Sequence, residues 1–227
     1  MDKSQSELFL EILRRLDKEG VLSKIILIGS WCLPIYRHYY SGESNLTTLR
    51  TRDIDFLVSR KVKIKEKVDL PKLLEDLGFI EDYKFPQGYV RLVHPELIME
   101  FLVAERGRGS EEPYPLPFLS MNAQKIRLLG MLEENTVTVD FKGIEVRLPH
   151  PVNYGFHKLI ISSRRKREDK KQKDIDTGLS VLNMCVENDE GNILVEVFKH
   201  IPQKQKKSII KIINIKKEYG LLKMLEK

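Results

Sequence analysis

Two aspartates stand two positions apart in Asp53-Ile54-Asp55-Phe56-Leu57-Val58. A strand sends successive side chains to opposite faces, so both carboxylates share one face while Ile54, Phe56 and Val58 point toward a core. Like charges held this close repel, which is costly unless a cation lies between them. Hard oxygen ligands suit Mg²⁺ or Mn²⁺, which keep several waters and complete their shell with substrate phosphates. The plain alternative for such a pair is a turn or a solvated strand edge. A third carboxylate, Glu100, sits inside the apolar run Glu96-Leu97-Ile98-Met99-Glu100-Phe101-Leu102-Val103. A charge among so many apolar neighbours is rarely left unpaired. Either Glu100 joins Asp53 and Asp55 from an adjacent strand, or it is a core carboxylate paired with Arg91 or Lys158. Gly29-Ser30 follows a short apolar run and precedes a helical stretch. Backbone N–H groups there and the Ser30 hydroxyl can hold phosphate oxygens, and Gly29 permits close approach.

These residues need elements to carry them. Leu8, Phe9, Ile12, Leu13 and Leu16 form one stripe of a helix over 5–19, with Gly20 as its stop. Residues 24–28 read as a buried strand, 31–40 as a short helix despite Pro34, 41–51 as a loop, and 53–58 as a second strand. Asp69 opens a helix through Pro71 that Gly78 closes. Residues 88–95 and 96–104 read as a strand pair joined near Pro95, and 104–116 as a polar loop rich in Gly and Pro. Lys142-Gly143 joins two strands in a hairpin. After Pro151 the pattern is helical, with helices expected over 152–165, 169–186, 192–200 and 204–225. Strands dominate the middle and helices the tail. A boundary is expected near His150-Pro151, between a core of residues 1–150 and a basic helical region of residues 151–227.

Composition narrows the class. The 227 residues are 41% hydrophobic and 32% charged, the balance of a globular chain able to bury a core. No apolar run approaches the roughly 18–20 residues that span a bilayer, so no membrane partner is expected. The first twenty residues carry charges throughout and have no apolar segment with a cleavage site, unlike a secretory signal. Cys32 and Cys185 make neither a metal-ligand pair nor a disulfide framework, and a cytoplasmic location with free thiols is expected. The net charge of +6 is uneven. Residues 151–227 hold 17 basic and 10 acidic side chains, a net of +7, which leaves 22 basic and 23 acidic, a net of −1, for residues 1–150. A basic tail on a near-neutral body fits an anionic partner such as RNA, or else a solvated lysine-rich face. Arg164, Arg165, Lys166 and Arg167 form its densest cationic run. No aromatic residues interleave with that run, so base-specific readout is not expected there.

Three segments in this order carry a resemblance: Ile28-Gly29-Ser30, Asp53-Ile54-Asp55-Phe56 preceded by Thr51-Arg52, and Met99-Glu100-Phe101. Together they resemble the polymerase-beta-like nucleotidyltransferase superfamily, over roughly residues 24–103. Residues 149–176, with Pro151, His157-Lys158-Leu159 and Asp174, resemble the segment that follows the core in nucleotidyltransferases related to the AbiE-type toxins. The chain departs from the pattern in three ways. The interval from Ser30 to Asp53 is long, the third acid is Glu rather than Asp, and Trp31, which we read as a packing residue, follows Ser30.

The resemblance implies an α+β fold, with a mixed β-sheet nucleotidyltransferase core followed by a mainly helical C-terminal region. It implies transfer of a nucleoside monophosphate from an NTP to an acceptor hydroxyl or phosphate, with Mg²⁺ or Mn²⁺ as cofactor and pyrophosphate as leaving group. Asp53, Asp55 and Glu100 would be catalytic residues and metal ligands, and Gly29, Ser30, Lys158 and Asp174 would bind nucleotide. RNA is the favoured acceptor, and a toxin-type role would bring an antitoxin partner. A non-catalytic nucleotide- or RNA-binding module on the same fold is the alternative. Several residues keep a structural reading beside the functional one. Lys158 could be a surface lysine packed by its stem. Asp174 and Asp176 could pair with Lys170, Lys171 or Lys173 along a helix. His157 reads as a satisfied core or boundary histidine. Arg52 could orient Asp53, contact phosphate or lie in solvent. Tyr39, Tyr40 and Tyr89 could stack on a base.

Overall fold

The computed structural model describes residues 3–42, 51–61, 67–105, 107 and 112–226. Residues 43–50 of the expected loop 41–51 and part of the segment 104–116 lie outside the described residues. The described chain divides into two compact units, Met1–Pro149 and His150–Lys227.

The first unit opens with helix α1 (Lys3–Lys18). Phe9, Ile12, Leu13 and Leu16 are fully buried along its stripe, and Leu8 at the margin is half-buried. Gly20, at φ +67°, ends the helix as expected, and the Val21 N–H returns to the Leu16 carbonyl at 2.9 Å. Strand β1 (Ile25–Ile28) is buried throughout. A 3-10 turn, Gly29–Trp31, leads into α2 (Cys32–Ser41). Trp31 is fully buried and stacks on Phe9 with ring centroids 3.8 Å apart, a packing role as its size predicts. Strand β2 (Asp53–Val58) follows, then α3 (Leu70–Leu74). Asp69 caps α3 by accepting from the Lys72 N–H at 3.3 Å, and Gly78 at φ +87° stops the run.

Next come β3 (Ile80–Lys84), β4 (Tyr89–Val93), β5 (Ile98–Ala104), β6 (Tyr114–Leu116) and β7 (Met121–Ile126). Short helix α4 (Gly130–Glu134) and the hairpin of β8 (Thr136–Asp140) and β9 (Glu145–Pro149) complete the unit. The hairpin turns at Lys142 and Gly143, both at positive φ, the geometry that matches strand twist. The main sheet runs β1-β2-β5-β4-β3, with β7 on β5 and β6 on β7. The β2–β5 and β5–β7 pairings are parallel and the others antiparallel, so the sheet is mixed. Strands β3, β6 and β7 and helix α4 are additions to the elements read from sequence. Strand β3 is an edge strand with no fully buried residue, so it lacks the apolar alternation that would announce it.

The second unit is helical: α5 (Pro151–Ser162), α6 (Glu168–Glu187), α7 (Gly191–His200), α8 (Gln203–Ile215) and α9 (Tyr219–Leu225). The single helix expected over 204–225 is in fact two, because Lys217 takes φ +60° and breaks the run. Helices α5 and α6 meet at Gly155 and Gly178. Cys32 and Cys185 are both buried thiols and form no disulfide. No helix among the described residues is long and apolar enough to cross a membrane. The architecture is α+β, a mixed sheet with helices followed by a helical region.

Candidate active site

Strand register brings the three carboxylates to one face. Asp53 and Asp55 share a face of β2, while Ile54, Phe56 and Val58 are buried behind it. On the parallel neighbour β5, Glu100 lies directly opposite Asp55, and Ile98 opposite Asp53. Phe56 and Phe101, paired on the far face, stack with centroids 5.8 Å apart. A one-residue slip would turn all of these side chains over, so apolar burial on one side enforces carboxylate placement on the other. Gln5 of α1 adds a brace. Its amide donates to the carbonyls of Thr51 at 3.0 Å and Glu96 at 2.9 Å, just ahead of β2 and β5. Further along the same face the strands turn apolar. Leu57, Leu102 and Ala104 pack with Ile26, Ile28, Leu129 and Leu132. The carboxylates therefore stand at the margin of a small core.

Strand β1 brings the glycine-serine turn to the same place. Ile28 pairs with Asp55, and Gly29 follows at φ +78°. A Cβ on Gly29 would collide with the Asp55 carboxylate, so only glycine fits beside it. Ser30 is half-buried. Arg52 donates to the His94 carbonyl at 3.0 Å. Asp53 is exposed, Asp55 half-buried, and the Glu100 side chain only 21% exposed.

Burial raises the Glu100 pKa above the usual carboxylate range, Arg91 opposes that rise, and the nearby Asp53 charge adds to it. Arg91 Nη1 lies 3.3 Å from Glu100 Oε1, the pairing anticipated as one alternative. The same guanidinium also holds Asp82 on β3 through Nε and Nη2, and this contact depresses the Asp82 pKa. Asp82 is the residue that sequence reasoning missed. The turn residues Pro86-Gln87-Gly88 between 80–84 and 89–93 were the available signal, since a hairpin there sets Asp82 opposite Arg91.

The site fits a hard divalent cation in part. Asp53 and Asp55 supply oxygen ligands on one face with water access, which suits an ion that keeps part of its hydration. Among the described residues no three His, Cys, Asp or Glu side chains are grouped as a ready-made metal cage. Glu100 shares the face but rests on Arg91.

In the helical unit, Lys158 and Asp174 are brought together. Lys158 Nζ lies 3.1 Å from Asp174 Oδ1, and Arg165 Nε lies 2.6 Å from Asp174 Oδ2, with the Asp174 side chain only 7% exposed. Asp174 therefore pairs with neither Lys170, Lys171 nor Lys173, while Asp176 pairs with Lys216 at 3.0 Å. Within the cationic run, Arg165 serves Asp174 and Arg167 serves Asp169 at 2.6 Å, leaving Arg164 and Lys166 exposed. His157 is buried, but its Nε2 has no hydrogen-bond partner among the described residues, so it is not the satisfied histidine expected. Of the tyrosines, Tyr39 is exposed and meets Tyr40 edge-on at 4.9 Å, and Tyr89 is half-buried on the Arg91 face of β4.

Residues 7–199 match the family model described as nucleotidyltransferase. The chain belongs to the nucleotidyltransferase family. As a nucleotidyltransferase it is an enzyme, not the non-catalytic module considered as the alternative. Its fold is similar to the crystal structure of an antigenic nucleotidyltransferase-like protein from Paracoccidioides brasiliensis, with a TM-score of 0.51 and 14% identity, over 97% of this chain and 93% of that one. The solution structure of the antibiotic-resistance factor ANT(2'')-Ia matches with a TM-score of 0.47 and 14% identity, over 98% of this chain and 97% of that one. Comparison with curated proteins gave no match.

Proposed function

We propose that this nucleotidyltransferase moves a nucleoside monophosphate from an NTP to an acceptor hydroxyl or phosphate, with Mg²⁺ or Mn²⁺ held by Asp53 and Asp55. The observation that carries this reading is the shared face of those two aspartates, with Gly29 fitted against the Asp55 carboxylate. Asp53 and Asp55 would hold the divalent cation, which would supply neutralisation of charge on the attacking and leaving oxygens of an in-line displacement. The protein's own contribution is placement. Gly29 and Ser30 open a helix and hold the terminal phosphates through backbone N–H groups and the Ser30 hydroxyl. Glu100, shielded from water and with its pKa raised, stands beside Asp55 to receive the acceptor's proton or to complete the ligand set. Lys158 and Asp174 form an ion pair within the helical unit, and a nucleotide-binding role for them rests on the resemblance of residues 149–176 alone.

For the acceptor we favour an anionic molecule, RNA above others. Helix α8 carries Lys204, Lys206, Lys207 and Lys211 and no acidic residue. A toxin-type role with an antitoxin partner rests on the resemblance of residues 149–176 alone.

Incubation with each labelled NTP, total cellular RNA and Mn²⁺ tests the reading. Label is expected to enter RNA in the wild type. The double substitution Asp53→Asn, Asp55→Asn should abolish both transfer and cation-dependent NTP binding, measured by calorimetry. A double variant that binds NTP and Mn²⁺ like the wild type rejects the assignment.

A further inference from the structure

Four ionisable side chains form one row across the sheet. Asp82 pairs with Arg91, Arg91 with Glu100, and Glu100 with Asp55, each directly opposite the next on successive strands β3, β4, β5 and β2. Residues paired this way share a face and lie within side-chain reach. Strand spacing puts Asp82 about 14 Å from Asp55, so those two ends do not meet. Arg91 reaches both of its neighbours, Glu100 with one arm and Asp82 with the other. The Arg91 and Glu100 side chains are only 17% and 21% exposed, so water does little to replace a lost partner.

Glu100 thus has a cation on one side and the Asp53–Asp55 pair on the other. Without a metal ion the aspartates repel it and Arg91 attracts it. A divalent cation held by the aspartates would reverse that preference. If Glu100 leaves, Arg91 does not become a buried unpaired charge, because Asp82 still holds it. From this geometry we infer that Arg91 is a positioning residue: it parks Glu100 away from the cation-binding aspartates, and Asp82 is the counter-anchor that lets it release the carboxylate. The inference rests on the reading of Asp53 and Asp55 as a cation site.

Opposite signs at the two ends of the row test it. Mn²⁺ binding is measured without nucleotide, by electron paramagnetic resonance of the free ion, with circular dichroism to confirm folding. Arg91→Met removes the parking cation and should tighten Mn²⁺ binding about threefold to tenfold. Asp82→Asn leaves the guanidinium to Glu100 alone and should weaken binding by a similar factor. In a Glu100→Gln background the Arg91→Met gain should vanish, because it acts through Glu100. Arg91→Lys keeps the charge but cannot span both carboxylates, so it should fall below Arg91→Met; it also stands in should the methionine variant fail to fold. Shifts of the same sign for Arg91→Met and Asp82→Asn, or a gain that persists in Glu100→Gln, overturn the positioning role. Failure of the wild type to bind Mn²⁺, or unaltered binding in Asp53→Asn, Asp55→Asn, instead overturns the cation site itself.

Discussion

At the scale of single residues, buried carboxylates are paired in both units. Glu100 is compensated by Arg91, and Asp174 by Lys158 and Arg165. His157 has no such partner at Nε2. Burial pushes its pKa down to about 3, and Lys158 and Arg165 add repulsion that Asp174 only partly offsets. An unfolded chain would protonate this ring near pH 6.5. Between those values the unfolded state binds a proton that the folded state refuses, so stability falls as pH drops through the window. The loss approaches about 1.4 kcal/mol per pH unit, and above about pH 7 there is none. His150, also lowered by burial and partly restored by Glu190, acts with the same sign. Urea midpoints should therefore drop between about pH 7.5 and about pH 5. His157→Leu should flatten that slope; an unchanged slope would place the acid sensitivity elsewhere.

At the scale of elements, glycine placement shows which helices are pressed together. A Cβ on Gly178 of α6 would stand 2.8 Å from Leu159 Cδ2 and 2.9 Å from the Gly155 carbonyl oxygen of α5. The second of these neighbours is backbone and cannot turn aside. Gly178→Ala should therefore cost about 1–3 kcal/mol by overpacking, despite alanine's better helix propensity. Gly220 in α9 has nothing within 4 Å of the same position. There propensity acts alone, and Gly220→Ala should stabilise by about 0.5–1 kcal/mol. Denaturant melts of the two variants should move in opposite directions. Two shifts of one sign would mean that the α5–α6 approach is looser than the structure shows.

At the scale of the whole molecule, charge is divided between the units. The tail carries the positive excess, and helix α8 exposes Lys204, Lys207 and Lys211 at helical spacing, about 10.5 Å from first to last. By contrast, two of the four cations in the run 164–167 are held by acidic neighbours. If RNA is the partner, replacing the three α8 lysines with glutamine should weaken binding and reduce the salt slope by about two for a single strand. Replacing Arg164 and Lys166 should reduce it by less. Fluorescence anisotropy across a salt series checks both; equal or absent changes would return α8 to a solvated face.

Much was legible before any coordinates. Period-two alternation in Asp53–Val58 determined that its two carboxylates share a face, because burying Ile54 and Phe56 leaves no other choice. Gly20, Gly78 and Lys142-Gly143 marked real ends and turns, because backbone conformation at such positions is a local property. Which strand lies beside which is not local. The placement of Glu100 opposite Asp55, and the row that continues through Arg91 to Asp82, come from pairings between segments up to about 45 residues apart in the chain. Strand β3 offers no buried stripe of its own, so beyond the turn residues at 86–88 it is its hydrogen bonds to β4 that reveal it. The partners of Asp174 were likewise hidden, since α5 and α6 fold back on each other and put Lys158 nearer than its helical neighbours. Side-chain alternation sets the face a residue occupies, and only tertiary pairing sets the charge it meets there.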